Sequence, residues 1–188
     1  MADATIRTFL AIELSEAIRI EAHRFVQTIQ SQFFEFRFIN PKNWHLTLHF
    51  FGPVDLEKIE KLKSRLSEGL SAVKPFSISL EGLGVFPDSR KPRIFWIGVG
   101  EAISELSVLK MRIDQVLQKM NFEIESRHLH PHISIARSKG QITSFSKPIP
   151  NFKGRVIDQV QSVTLFKSVL SSQGAQYTPL EVISFGNF

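Results

Sequence analysis

The stretch Trp44-His45-Leu46-Thr47-Leu48-His49-Phe50-Phe51, closed by Gly52-Pro53, decides how this chain reads. From His45 to Leu48 polar and apolar residues alternate with the period of a strand. His45 and Thr47 therefore share one face, about 6–7 Å apart, while Leu46 and Leu48 enter the core behind them. The pattern returns at His132-Ile133-Ser134-Ile135. Each copy predicts a strand with an imidazole beside a hydroxyl on a single reactive face. His49 falls on the same expected face as His45 and Thr47 and reads as a rim residue of a cleft.

Working outward, Ile6 to Leu14 reads as a strand, and Ser15 with Glu16 supplies a cap and an acidic first turn for a helix. That helix carries Ile18, Ala22, Phe25, Val26, Ile29 and Phe33 at helical spacing. The Asn40-Pro41 break precedes the first His strand. Asp55 then caps a second helix striped by Ile59, Leu62, Leu66, Leu70 and Val73. Phe76 to Leu80 and Arg93 to Val99 read as strands around a turn-rich segment, Gly82 to Pro92. A third helix over Ala102 to Met120 buries Leu106, Leu109, Ile113, Val116, Leu117 and Met120. The second His strand, His132 to Ala136, leads into a loop from Ser138 to Gly154. Val160 to Ser168 and Glu181 to Phe185 close the chain as strands.

The unit strand, helix, His-bearing strand thus occurs twice. Phe9 precedes His45 by 36 residues and Phe95 precedes His132 by 37, which predicts two similar halves about a shared cleft. If the His strands lie side by side across a pseudo-twofold axis, two imidazoles and two hydroxyls converge on a phosphate-sized volume.

The 188 residues, 43% hydrophobic and 22% charged, suit a single folded domain of two lobes over residues 1–188. The longest apolar run, Ile94 to Gly100, falls well short of the roughly 20 residues of a membrane helix. Asp3, Arg7 and Glu13 interrupt the N-terminal apolar segment, so a cytoplasmic protein is expected. The absence of cysteine excludes disulfides, thiolate nucleophiles, iron–sulfur clusters and Cys-based zinc sites. The net charge of +5 favours phosphate-bearing ligands.

Displacement at phosphorus needs one proton taken from the attacking oxygen and another given to the leaving oxygen. Two histidines titrating near neutral pH divide those tasks. Thr47 and Ser134 hydroxyls donate to the non-bridging oxygens, where charge concentrates. This arrangement requires neither metal nor cofactor. A lone His beside a hydroxyl residue is more often structural, but core packing gives no reason for histidine in both equivalent strands. His128, His130 and His132 alternate and could hold zinc or iron. Pro131 interrupts that run and no carboxylate completes a shell, which weighs against the metal reading. The Gly82 and Gly84 pattern fails at Pro87, and neither a P-loop nor a nucleophile elbow is present.

The paired motifs resemble those of the 2H phosphoesterase superfamily. Their context is similar to the bacterial and archaeal RNA 2′,3′-cyclic phosphodiesterase family, also called 2′-5′ RNA ligase. The supporting residues span most of the chain: Arg7 to Ile12, His45 to Gly52, Leu83 to Pro87, and Pro92-Arg93 with Trp96 and Gly98. Arg127, Pro131 to Arg137, Leu165 to Ser168 and Tyr177-Thr178-Pro179-Leu180 complete them. The resemblance implies an α+β, two-lobed, pseudo-symmetric fold with paired antiparallel sheets around a central cleft and helices outside. It implies metal-independent hydrolysis of RNA 2′,3′-cyclic phosphate ends to 2′-phosphomonoesters, with reversible 2′-5′ joining as a second activity. By motif match His45, Thr47, His132 and Ser134 are catalytic, with His45 the acid and His132 the base. Phe9 takes the place of an aromatic for the nucleobase, and Arg137 that of a guanidinium for the phosphate. His128-Leu129 departs from the Pro-Phe that relatives often carry. The expected partner is RNA or an oligonucleotide with a cyclic phosphate end; no membrane partner is expected, and the protein reads as a monomer. Two alternatives stand beside this reading: an RNA-end-binding protein without turnover, and a metal-dependent hydrolase built on His128, His130 and His132.

Overall fold

The structure is a computed structural model that describes residues 5–125, 129–141, 147–171 and 174–186. It alternates β1 (Thr5–Glu13), α1 (Glu16–Ile29), β2 (Phe36–Phe38), β3 (His45–Asp55), α2 (Leu56–Leu70), β4 (Phe76–Ile78), β5 (Leu80–Phe86), β6 (Ile94–Val99) and α3 (Ile103–Lys119). Then follow β7 (His132–Ser138), β8 (Asp158–Val160), β9 (Ser162–Ser171) and β10 (Gly174–Ser184). The main sheet runs β10-β9-β1-β3-β7-β6-β5, with β2 also on β7; β4 and β8 pair separately. Its two halves meet where β3 pairs antiparallel with β7, and the register there is a single pair, Leu46 with Ile133. The expected α+β fold with two strand sets flanking a cleft is what the chain adopts.

Helix α1 starts where Ser15 Oγ accepts the Ile18 N–H, and it buries Ile18, Ala22, Val26 and Ile29. It stops at Ile29 and a 3-10 turn follows, yet Phe33 remains buried at the end of the expected stripe. Helix α2 buries Ile59, Leu62, Leu66 and Leu70, and α3 buries Leu106, Leu109, Ile113 and Leu117. These stripes join Leu10, Ile12, Leu46, Leu48, Phe95, Ile97, Ile133 and Ile135 of the sheet in one apolar core. The core lies on the helix side, which leaves the other face of the central strands for the cleft. Among the described residues no helix is long and apolar enough to cross a membrane.

Where the strands depart from expectation, glycine and proline explain it. The turn-rich segment contains β5, because a register shift between Leu80 and Leu83 absorbs Gly82 at φ +77° and the ladder with β6 resumes. β3 continues past Gly52-Pro53 to Asp55 with a similar shift, Gly52 standing at φ +70°. β10 begins at Gly174 and tolerates Pro179 because it is an edge strand, shifting register between Pro179 and Glu181.

Candidate active site

The two His strands are built alike to the level of register. Against β1, Ile12 pairs with Leu46 and Ala11 with Thr47, then the ladder skips Leu48 so that Leu10 pairs with His49 and Phe9 with Phe50. Against β6, Ile97 pairs with Ile133 and Trp96 with Ser134, then the ladder skips Ile135 so that Phe95 pairs with Ala136 and Ile94 with Arg137. Both motifs thus carry a bulge at their last apolar residue. The bulge shifts the alternation by one. His49 turns to the helix side, only 4% exposed, and packs on Phe51. Phe50 turns into the cleft instead, 57% exposed. The expectation that His49 rims the cleft is therefore corrected: the extra residue in the strand reverses its face.

The same registers correct the internal repeat. The counterpart of Phe9 is Ile94, since each pairs three residues beyond its motif hydroxyl. Phe95 is the counterpart of Leu10 and is fully buried. Phe50 and Arg137 occupy equivalent positions and differ in chemistry.

Because Leu46 faces Ile133 in antiparallel register, the residues on either side bring each imidazole across from the other motif's hydroxyl: His45 toward Ser134 and Thr47 toward His132. Each ring is held in the same way. His45 Nδ1–H donates to the Asn43 carbonyl at 2.8 Å, and His132 Nδ1–H donates to the His130 carbonyl at 2.7 Å. A carbonyl only accepts, so Nδ1 carries the hydrogen and Nε2 is the nitrogen left for the cavity. Burial pushes both imidazoles below their ordinary 6.5, against the pull of those carbonyls. His132 and Arg137 push His45 further down, and Glu13, its ladder partner on β1, pulls it up. His132 faces Gly98 at the equivalent place and has no such carboxylate; His130 pushes it down.

All six residues singled out in the sequence, His45, Thr47, His132, Ser134, Phe9 and Arg137, line one cavity of about 690 Å³. The Thr47 and Ser134 hydroxyls make no hydrogen bond to other described residues, so both are free to donate. His45 sits among Phe9, with ring centroids 4.8 Å apart, Tyr177 at 5.2 Å and Phe166 at 6.4 Å. Phe9 is only 2% exposed and stacks on Phe166, so it forms floor more than platform. His132 sits among Phe86 at 4.9 Å, Trp96 at 6.3 Å and His130 at 6.3 Å. Gly84 is required beneath that indole, since a Cβ there would lie 2.1 Å from the Trp96 ring. Burial pushes the Tyr177 phenol up, which keeps it an O–H donor.

Sequence reading missed Arg7, Asn43, Phe50 and Tyr177 as cleft residues. Arg7 and Phe50 carry no periodic signal distinguishing them from surface residues. Asn43 is engaged twice, its carbonyl on His45 and its Nδ2 on the Ala175 carbonyl at 3.0 Å, which ties the His45 approach to β10. Of the three histidines considered for a metal, His128 lies outside the described residues. Among the described residues no three His, Asp or Glu side chains are grouped to hold an ion.

Residues 12–96 match the model of the LigT-like phosphoesterase family. The chain is 33% identical to the RNA 2′,3′-cyclic phosphodiesterase of Methanothermobacter thermautotrophicus over 94% of its own length and 97% of that protein's. It is 31% identical to the enzyme of the same name from Aquifex aeolicus over 96% and 98%. Among solved structures, a Thermus thermophilus protein superposes with a TM-score of 0.83 at 26% identity, covering 95% of this chain and 97% of that one. Escherichia coli LigT complexed with 3′-AMP superposes at 0.80 and 26% identity, covering 98% of this chain and all of that one. With a third of its residues shared with a curated member across nearly the full length of both, and the duplicated His strands in place, this chain belongs to the LigT-like phosphoesterase family of hydrolases, within the 2H phosphoesterases.

Proposed function

We propose that this protein hydrolyses the 2′,3′-cyclic phosphate at the end of an RNA to a 2′-phosphomonoester, with His45 and His132 as the proton-transfer groups and no metal. The observation that carries the reading is the matched pair of Nδ1–H bonds to backbone carbonyls, 2.8 Å at His45 and 2.7 Å at His132, on strands of identical register. Two imidazoles fixed in one tautomer offer one Nε2 to accept a proton and one Nε2–H to give it. The curated relatives named above as RNA 2′,3′-cyclic phosphodiesterases support the substrate.

In this mechanism His132 takes a proton from water as the oxygen attacks phosphorus. The P–O3′ bond breaks, and protonated His45 delivers its proton to O3′, which leaves the phosphate on O2′. His132 ends protonated and His45 neutral, and exchange with solvent resets both. His45 takes the acid role by the motif resemblance; Glu13 pulls its ring toward the charged form, more weakly than burial, His132 and Arg137 push it away. Thr47 and Ser134 donate to the non-bridging oxygens, and Arg137 and Arg7 add positive charge at the cleft wall. Phe50 offers an exposed aromatic face for the terminal base, above the Phe9 floor. A 5′-hydroxyl in place of the water gives a 2′-5′ phosphodiester by the same steps.

The test is an end-labelled oligonucleotide carrying a 2′,3′-cyclic phosphate, incubated in EDTA and then treated with phosphatase. Conversion to a phosphatase-sensitive 2′-phosphate is expected. A resistant end at every enzyme concentration leaves binding without turnover, and a rate that returns only with zinc or manganese replaces this mechanism by a metal-dependent one.

A further inference from the structure

On β2, Arg37 stands directly opposite Arg137 of β7. Directly opposed residues of an antiparallel pair share a face. Like charges so placed destabilise a sheet, so the pair has no local structural reason. Beyond Arg137 the β6–β7 ladder continues with Ser138 N–H donating to the Arg93 carbonyl at 2.9 Å. There the surface opens into a second cavity of about 370 Å³, lined by Lys91, Arg93, Lys139 and Gln141 among others. Arg37, Lys91, Arg93, Arg137 and Lys139 are all exposed, and among the described residues none of their side chains makes an ion pair or hydrogen bond. Of the neighbouring acids, Asp88 pairs with Arg90 and Glu35 with Lys147, while Lys139 stands close enough to Glu35 to lower its carboxyl without forming an ion pair with it. Five unpaired cations thus run from the cleft wall to the end of the second lobe. Lys139 follows Arg137 by two residues, just past the end of β7 at Ser138.

We propose that Arg37 and the Lys91–Arg93–Lys139 pocket form a binding track for the phosphodiester backbone of single-stranded RNA on the 5′ side of the cyclic end, so that polynucleotide ends are favoured over mononucleotides. This rests on the cyclic-phosphate reading of the cleft. Arg137 belongs to both sites and joins them: it touches the terminal phosphate region, and the track begins where its neighbours leave the cleft. The row is short and open, which suits a flexible single strand whose backbone charges are contacted in series.

The experiment compares wild type with the triple variant Arg37→Gln, Lys91→Gln, Lys139→Gln, three exposed changes outside the proton-transfer site. Two readouts are taken. One is kcat/KM for a 2′,3′-cyclic mononucleotide and for a cyclic-ended ten-nucleotide RNA. The other is binding of a fluorescein-labelled single-stranded RNA of the same length by anisotropy across a salt series. The expected result is at least a tenfold fall in the preference for the oligonucleotide over the mononucleotide. The slope of log affinity against log salt should shrink by about 2, since each phosphate contact on a single strand contributes roughly 0.7. An unchanged preference and an unchanged slope overturn the track. Equal displacement of the RNA by polyglutamate overturns its assignment to nucleic acid. If wild type turns over neither substrate, the cyclic-phosphate reading fails, while the anisotropy series still decides the track.

Discussion

Leu46 of β3 and Ile133 of β7 face each other at the seam of the sheet, and each is the central apolar residue of a His-x-Thr/Ser-x motif. A pseudo-twofold axis through that pair relates His45 to His132 and Thr47 to Ser134, which is how residues 87 positions apart in the chain come to share one cavity. The relationship makes the chemistry nearly symmetric and leaves orientation to the residues that break the symmetry: Glu13 against Gly98, and Phe50 against Arg137.

Replacing either ring should remove a proton-transfer group. His45→Ala and His132→Ala are each expected to lower kcat for cyclic-ended RNA by about a hundred- to ten-thousand-fold. Thr47→Ala and Ser134→Ala should cost no more than the histidine changes, and His128→Ala should be mild. Steady-state kinetics on purified variants of matched circular dichroism check the ranking; a dispensable motif histidine would sink the assignment.

The pH profile of kcat/KM should be bell-shaped, because one imidazole must be neutral while the other is protonated. Glu13 raises the affinity of His45 for its proton, so Glu13→Gln should move the alkaline limb, which reports loss of the acid's proton, to lower pH. Movement of the acid limb instead would exchange the two roles.

An activated leaving group at O3′ that needs no proton should rescue His45→Ala far more than His132→Ala. Equal rescue, or a 3′-phosphate product, would show the bond-breaking assignment to be wrong.

Phe50 should act on binding and not on chemistry. Stacking of one base is worth about 1–3 kcal/mol, so Phe50→Ala is expected to raise KM by roughly 5- to 150-fold with little change in kcat. The comparison of KM against kcat on a cyclic mononucleotide decides it. Phe50→Trp should restore most of the loss.

Stability should fall on mild acidification. Burial holds His45, His49 and His132 below their ordinary 6.5, so in the folded protein they resist protonation while the unfolded chain accepts it. Their contribution is complete above about pH 6.5 and declines as pH falls below that toward their folded values. The slope is at most about 1.4 kcal/mol per pH unit for each histidine. His49 is the cleanest probe: it is only 4% exposed behind the sheet, its Nδ1 has no hydrogen-bond partner among the described residues, and Lys110 adds to its depression. His49→Leu should flatten the decline in Tm between pH 7 and pH 5, whereas an unaltered slope would remove His49 from this account.

The residues proposed for the chemistry and most of the frame are legible in the order of residues alone. Two His-x-Thr/Ser-x runs of period two, three helices with apolar stripes, a basic balance and the absence of cysteine are all local properties, readable because a side chain's face follows from its spacing in a regular element. Local pattern does not reveal where regularity breaks and what lies across the break. The bulges at Leu48 and Ile135 turn His49 away from the cleft and bring Phe50 and Arg137 into it. They also make Ile94, and not Phe95, the counterpart of Phe9. A strand of three residues, β2, shows no period at all, yet it sets Arg37 against Arg137 from across the fold. These are consequences of register, and register is settled by hydrogen bonds between segments far apart in the chain, where one inserted residue reverses the face of everything beyond it.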